Sequence, residues 1–157
     1  MGREVRMVPK GWEHPYELTD PSNPVSKKKY KPLFYGWKDI VSEFEEMLKQ
    51  GKSVDYTLRY FGGPSPDDYI DSDWEEDGLK PELYVMYENT SEGTPISPAF
   101  NTIEKLARWL ADNRASAFGG STATYKQWLA TCKSGWAVSL VMENGVLKSG
   151  VEAFAHR

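Results

Sequence analysis

The most constraining feature of this sequence is an Asn144-Gly145 pair that separates two runs near the end of the chain, the first of them almost entirely apolar. These runs extend from Trp136 to Met142 and from Val146 to Val151. Asn-Gly is the preferred pair for a two-residue type I′ turn, because both positions of that turn need a positive φ. The pattern therefore predicts an antiparallel β-hairpin. Since the first run is apolar on both faces apart from Ser139, we expect its strand to be well buried.

Three segments have the apolar spacing of a helix with one buried face. They extend from about Asp39 to Gln50, from about Thr102 to Asp112 and from about Ala123 to Cys132. Asn101 is the expected N-cap of the second helix, because Glu104 follows it in a capping-box arrangement. The apolar faces are expected to hold Ile40, Phe44, Met47 and Leu48 in the first helix, Ile103, Leu106, Ala107 and Leu110 in the second, and Tyr125, Trp128, Leu129 and Cys132 in the third.

Further strands are predicted at 52–61 and from Leu83 to Tyr87, where alternating, aromatic or branched residues dominate. The stretch from Ile96 to Phe100 is expected to be an edge strand at most, because proline flanks and interrupts it. These elements predict the α+β class: about three helices packed on a small, mostly antiparallel sheet with a C-terminal β-hairpin. The 157 residues suit one domain that buries a core without disulfides.

Prolines recur through residues 1–35. Each one removes a backbone donor and restricts the residue before it, so neither a long helix nor a central strand is expected there. We predict an extended, proline-rich N-terminal arm over 1–35 and a single α+β domain over 36–157. Trp12, Tyr16 and Phe34 are expected to hold the arm against the domain, and a flexible tail is the alternative. The five prolines are Pro9, Pro15, Pro21, Pro24 and Pro32.

Composition favours a cytoplasmic protein with no membrane segment. A single cysteine, Cys132, permits no intramolecular disulfide, which favours a reducing compartment. The first six residues show no apolar region of the kind that a secretion signal needs. The mean hydropathy is -0.60, and the longest apolar stretch falls well short of the ~20 residues that span a bilayer.

Charge is distributed unevenly along the chain. Residues 1–38 hold eight basic and four acidic residues, a net charge of +4. Residues 39–82 hold four basic and thirteen acidic residues, a net charge of -9. A basic arm therefore precedes an acidic middle, and such asymmetry is informative about binding partners rather than about the fold.

The acidic middle contains a dense run of carboxylates that we call the acidic strip. Because its carboxylates repel one another, it is predicted to bind a host protein with a basic surface, with Tyr69 and Trp74 as aromatic anchors. A solvated loop that pairs with the basic arm is the alternative. A partial calcium-loop pattern starts at Asp71, but Glu76 stands where the sharp turn needs glycine, so no metal site is predicted. The strip comprises Asp67, Asp68, Tyr69, Asp71, Asp73, Trp74, Glu75, Glu76 and Asp77.

A basic cluster in the arm gives the alternative of nucleic-acid binding. Lysine charge attracts phosphate, and the tyrosine within the cluster could stack on a base. The whole chain is nevertheless acidic, with a pI of about 5.3, whereas nucleic-acid-binding domains usually carry a basic excess. A solubilising loop is the simpler interpretation. The cluster comprises Lys27, Lys28, Lys29, Tyr30 and Lys31.

No complete catalytic, metal or cofactor motif is present. The two histidines, His14 and His156, lie in no recognisable hydrolase or metalloprotease pattern. Cys132 is expected to be buried and inert. Residues 119–122 precede a helix but lack the lysine and the glycine spacing of a phosphate-binding loop, so an N-capped helix start is expected there. No catalytic residue and no cofactor are assigned.

Several stretches resemble small uncharacterised proteins encoded by phages and prophages. That resemblance implies a phage origin and a bacterial cytoplasm; it implies no activity and carries over no catalytic residue. The matching stretches are Val8-Pro9, Trp12-Glu13-His14-Pro15, Tyr30-Lys31-Pro32-Leu33, the run from Met86 to Phe100, the run from Leu106 to Asn113, the run from Ala115 to Gly119, the run from Thr122 to Tyr125, and Trp128-Leu129.

The expected function is that of a phage-encoded, non-enzymatic protein that binds and inhibits a host protein. A counter-defence inhibitor, such as an anti-CRISPR protein, is the favoured example. The alternatives are a nucleic-acid-binding accessory protein that uses the basic cluster, a small enzyme of unknown chemistry, and a structural part of the virion. The step from phage origin to inhibitor is an analogy rather than a derivation from residues.

Overall fold

A computed structural model shows a four-stranded sheet that is covered by different elements on its two faces. It describes residues 2–31, 33–34, 37–53, 55, 70–71, 74, 77–89 and 93–154. The strands are β1 Gly2–Pro9, β2 Tyr16–Leu18, β3 Lys28–Tyr30, β4 Leu33–Phe34, β5 Ile70–Asp71, β6 Pro81–Glu88, β7 Thr94–Pro95, β8 Trp136–Val138, β9 Leu140–Glu143 and β10 Val146–Ser149. The helices are α1 Trp37–Lys49, α2 Ile103–Asp112, α3 Tyr125–Ser134 and α4 Gly150–Phe154.

The main sheet is antiparallel and has the strand order β7-β6-β1-β8. Together with the helices it confirms the α+β class. The first strand lies inside this sheet, where it pairs with β6 on one side and with β8 on the other. The expectation that residues 1–35 hold no central strand is therefore wrong. Residues 2–8 precede the first proline, so each of them keeps its backbone donor, and Pro9 is the last residue of the strand.

Helices α2, α3 and α4 cover one face of the sheet. Successive residues of a strand point to opposite faces, and Met86 of β6 points toward α2 and α3. It joins a core that includes Leu106, Leu110, Trp128 and Cys132. Three of the four residues expected on the buried face of α2 are fully buried, and the fourth, Ile103, is partly buried. The amphipathic spacing thus located this core from sequence.

The N-terminal segment and Trp74 cover the opposite face. Val8 of β1 and Val85 and Tyr87 of β6 point to this side, where they form a second buried cluster with Trp74. Trp12 packs against the same cluster. The arm therefore contributes to the protein core through its first strand and through Trp12. The expected contact by Phe34 lies outside the described side chains.

Helix ends differ from the predictions by one or two residues. Thr102, rather than Asn101, caps α2, since its hydroxyl oxygen accepts a hydrogen bond from the Lys105 amide at 3.2 Å. The third helix begins at Tyr125, where Thr124 and Gln127 form a capping box. Residues 119–122 consequently lie before the cap, in a turn where Phe118 and Ser121 form a β-bridge.

The predicted Asn144-Gly145 hairpin is confirmed between β9 and β10, with φ values of 51° and 78° at these two residues. The expectation that its first strand is well buried is wrong, because Met142 is 72% exposed. The extended run is interrupted at Ser139, between β8 and β9. Strand β9 therefore lies outside the four-stranded sheet. The hairpin therefore presents an apolar face to solvent.

The remaining predicted elements have mixed outcomes. Helix α1 begins two residues before its predicted start, and Phe44 on its apolar face is buried. The stretch from Ile96 to Phe100 forms one isolated bridge, between Phe100 and Tyr84, whereas the short edge strand β7 lies just before it. The strand predicted at 52–61 falls largely outside the described residues.

Candidate functional site

The acidic strip is described at three positions only. Trp74 and Asp77 have described side chains, and the backbone of Asp71 belongs to β5. Trp74 is 6% exposed, and its indole Nε1 donates a hydrogen bond to the Met7 carbonyl oxygen at 2.9 Å. Trp74 was predicted to be an aromatic anchor for a partner, whereas its side chain lies in the second buried cluster. The other members, Asp67, Asp68, Tyr69, Asp73, Glu75 and Glu76, lie outside the described residues.

The basic cluster forms one strand of a small hairpin. Strand β3 pairs with β2, so Tyr30 lies opposite Tyr16. The ammonium group of Lys28 lies 4.2 Å from the centre of the Tyr16 ring, in a cation–π contact. Lys27, Lys28 and Lys29 are exposed, whereas Tyr30 and Lys31 are partly buried. The first three lysines of the basic cluster are thus open to solvent, whereas the tyrosine is packed partly against the rest of the protein.

A cavity of about 690 Å³ lies between this hairpin and the second face of the sheet. We call it the aromatic groove. Val8 and Val85 lie on the sheet side of the groove, and residues 95–99 line it where the chain passes along the outer edge of β6. Its volume lies within the range of about 300–1,000 Å³ that is typical of ligand sites. Six aromatic side chains line it: Trp12, His14, Tyr16, Tyr30, Tyr87 and Trp109.

The rings on the arm side of the aromatic groove contact one another at steep angles. His14 and Tyr30 have ring centres 5.4 Å apart at 78°, and Tyr16 and Tyr30 are 5.9 Å apart at 67°. Trp12 lies 4.6 Å from Trp74 at 62°. Edge-to-face contacts of this kind are favourable and hold each ring in one orientation. The buried core therefore supports the groove through Trp12.

His14 connects the arm to the sheet within the groove. Its Nε2 lies 2.5 Å from the Lys31 carbonyl oxygen, and its Nδ1 lies 3.4 Å from the Tyr87 hydroxyl oxygen. Because a carbonyl only accepts, Nε2 carries the proton and Nδ1 is left to accept from Tyr87. Burial lowers the pKa of His14, and the nearby charge of Arg6 lowers it further, against the opposing effect of the Lys31 hydrogen bond. The imidazole is accordingly neutral at neutral pH.

Tyr87 is buried, and this burial raises the pKa of its phenol well above the ordinary value. The guanidinium of Arg6 lies 5.2 Å from the centre of its ring. A phenol with a raised pKa is a poor proton donor and a poor nucleophile at neutral pH, so the His14–Tyr87 pair is suited to holding the groove together.

The other candidate chemistries find no support among the described residues. No three histidine, cysteine, aspartate or glutamate side chains in the described part of the chain lie close enough to hold a metal ion. Cys132 is buried, and burial raises its thiol pKa to about 12, which keeps it protonated. His156 lies outside the described residues. No helix in the described ranges is long and apolar enough to cross a membrane.

Sequence reasoning missed the aromatic groove. The available signal was the recurrence of Trp12, His14, Tyr16 and Tyr30 within the arm, which was interpreted as packing and as a basic cluster. Their common cavity depends on pairing between β1 and β6, which lie far apart in the sequence. Comparisons with protein-family models, with curated proteins and with solved structures found no match for this chain.

Proposed function

We propose that this chain is a non-enzymatic protein that binds a partner protein through the aromatic groove. One observation carries the proposal: a cavity of about 690 Å³ is lined by six aromatic side chains. Aromatic side chains supply large contact area at low conformational cost, and they dominate the energetics of protein interfaces. Tyr16 is 46% exposed, so part of this aromatic surface is open to a partner.

The state of the polar groups in the groove favours binding over catalysis. His14 is neutral and engaged through both ring nitrogens, and Tyr87 is a buried phenol with a raised pKa. Glu13 and Lys28 are the charged side chains among the groove residues, and Lys28 already contacts the Tyr16 ring. A site of this kind recognises shape and aromatic contact rather than moving protons.

A more specific form of the proposal is a phage-encoded inhibitor that acts in the bacterial cytoplasm. Its support is the resemblance of several sequence stretches to phage proteins, together with the net charge of -9 over residues 39–82. Trp74 of the acidic strip contacts Trp12, a groove residue. A host protein would fit both the groove and the acidic charge if it placed one segment in the groove and carried a basic surface beside that segment. Counter-defence, as by an anti-CRISPR protein, is the favoured process.

Nucleic-acid binding is the second candidate, because Lys28 and Tyr30 of the basic cluster both line the groove. Phosphate contacts by Lys28 and stacking on Tyr30 would make such binding weaken steeply as salt rises. A gel shift at low salt tests it. A shifted band that disappears at higher salt supports this candidate, and the absence of any band at low salt removes it.

Capture of host proteins from bacterial lysate tests the proposed function. We expect Tyr16→Ala to reduce recovery of the bound partner, and the charge-reversed variant Asp68→Lys, Asp71→Lys, Asp73→Lys to reduce it if the acidic strip also contributes. Met142→Ala is the matched control, because Met142 is exposed on the β9–β10 hairpin and does not line the groove. Equal recovery by Tyr16→Ala and the unaltered chain would contradict binding through the groove.

A further inference from the structure

Resting on the proposed function, we propose that the aromatic groove takes a proline-rich segment of the partner protein in the polyproline II conformation. Such a segment is extended and has no internal hydrogen bonds. It binds by placing its rings and its aliphatic surface between aromatic side chains. Three properties of the groove lead to this class of ligand: the arrangement of its rings, the occupied edge of the sheet, and its lack of net charge.

The rings that line the groove are steeply inclined to one another. Tyr16 and Tyr30 meet at 67°, and His14 and Tyr30 meet at 78°, so neighbouring ring faces are steeply inclined to each other. Parallel stacked rings would present one flat surface, whereas these inclined rings line a cavity with angled walls. A pyrrolidine ring is compact and rigid, so it fits against such walls with little loss of conformational freedom.

The edge of the sheet beside the groove is already occupied. Tyr84 and Phe100 exchange backbone hydrogen bonds of 2.7 and 2.9 Å, and the Ile96 amide donates to the Met86 carbonyl at 2.8 Å. The Met86 amide donates to the Ser97 hydroxyl oxygen at 2.9 Å. Residues 96–100 thus satisfy the outer side of β6 at Tyr84 and Met86, and a partner strand cannot pair there. A polyproline II segment needs no such ladder.

The charged side chains that line the groove have opposite signs and leave it no net charge. They are Glu13 and Lys28, while His14 is held neutral between Lys31 and Tyr87. A proline-rich segment brings no charge of its own, and each proline lacks an amide proton that would need an acceptor. The hydroxyl groups of Tyr16 and Tyr30 are able to donate to its carbonyl oxygens.

A titration with an acetylated and amidated decaproline peptide tests this inference, with the tryptophan indole signals followed by NMR. We expect saturable shifts of the Trp12 and Trp109 indole signals, and none of the Trp128 signal, because Trp128 is fully buried among the helices. Tyr16→Ala should weaken binding about three- to tenfold, as expected for the loss of one aromatic contact. Met142→Ala should bind as the unaltered chain does. A matched decapeptide of alternating glycine and serine should cause no saturable shift.

The outcomes separate this inference from the proposed function. If decaproline causes no saturable shift while Tyr16→Ala loses the captured partner, the polyproline class is wrong and the proposed function stands. If Tyr16→Ala retains the partner as well, both fail. If a ten-nucleotide single-stranded DNA shifts the same indole signals more strongly than decaproline does, the polyproline class is overturned in favour of nucleic acid.

Discussion

At the scale of single residues, His14 shows how the arm is fixed to the sheet. Its ring lies between the Lys31 carbonyl on the arm and the Tyr87 hydroxyl on β6, and both contacts use the neutral imidazole. Protonation of Nδ1 would turn its only acceptor into a donor facing the Tyr87 hydroxyl, beside the positive charge of Arg6. The protonation state of His14 is therefore linked to the contact between the arm and the sheet.

This linkage predicts a loss of stability in mild acid. The pKa of folded His14 lies below 6.5, its ordinary value in an unfolded chain. As pH falls below 6.5, the unfolded state takes up the proton first, so the contribution is complete above 6.5 and is lost as pH falls through the folded-state pKa. Urea unfolding at pH 7.5 and at pH 5.5 measures it. We expect His14→Gln, which does not titrate, to lose less stability between these two pH values than the unaltered chain. An equal loss in both proteins would contradict the account.

The identity of the buried aromatic residues could not be predicted from local sequence. Trp74 stands among carboxylates and was predicted to be an aromatic anchor for a partner, yet its buried indole donates a hydrogen bond to the carbonyl of Met7, which is 67 positions away in the chain. Whether such a residue is buried depends on which segments, distant in the sequence, pack against it in the fold. Cys132 and Leu110 were predicted correctly because helical spacing places them on an apolar face without reference to distant residues.

At the scale of elements, the β9–β10 hairpin depends on its turn. Asn144 and Gly145 both have positive φ, as a type I′ turn requires, and this geometry is encoded by two adjacent residues. The exposure of the strands is not encoded locally. Ser139 separates β8 from β9, and the hairpin then leaves the main sheet, so an apolar run that suggested burial is solvent-facing at Met142.

Gly145→Ala is expected to destabilise the protein by about 1–2 kcal/mol, because a Cβ atom is disfavoured at a φ of 78°. Gly120→Ala is the matched control, since a Cβ atom there meets nothing within 4 Å and Gly120 is not among the residues with positive φ. Chemical denaturation of both variants measures the difference. A Gly145→Ala variant that is no less stable than Gly120→Ala would contradict the assigned turn.

At the scale of the whole molecule, the N-terminal segment is part of both the core and the candidate site. Its first strand is an inner strand of the sheet, and its β2–β3 hairpin forms the outer wall of the groove. The sequence predicted a boundary at residues 35 and 36 because prolines are frequent before it. The prolines of the arm all lie from Pro9 onward, whereas residues 2–8 have the composition of a strand.

Deletion of residues 1–35 is consequently expected to abolish cooperative folding of residues 36–157. The deletion removes every hydrogen bond that β1 makes to β6 and β8, and it exposes the apolar surfaces of Val85 and Tyr87. Amide proton dispersion by NMR and thermal unfolding by circular dichroism measure the result. A truncated chain with dispersed signals and a cooperative transition would show that the shorter segment is a domain by itself.

The central claim is that the aromatic groove is the surface through which this protein binds its partner. Photo-crosslinking tests it most directly, with benzoylphenylalanine placed either at Tyr16 in the groove or at Met142 on the hairpin, both of which are exposed. We expect one partner protein to crosslink efficiently from position 16 and weakly or not at all from position 142. Excess unlabelled protein should reduce the yield of the crosslinked product. Efficient crosslinking of the same partner from position 142 with none from position 16 would contradict the claim.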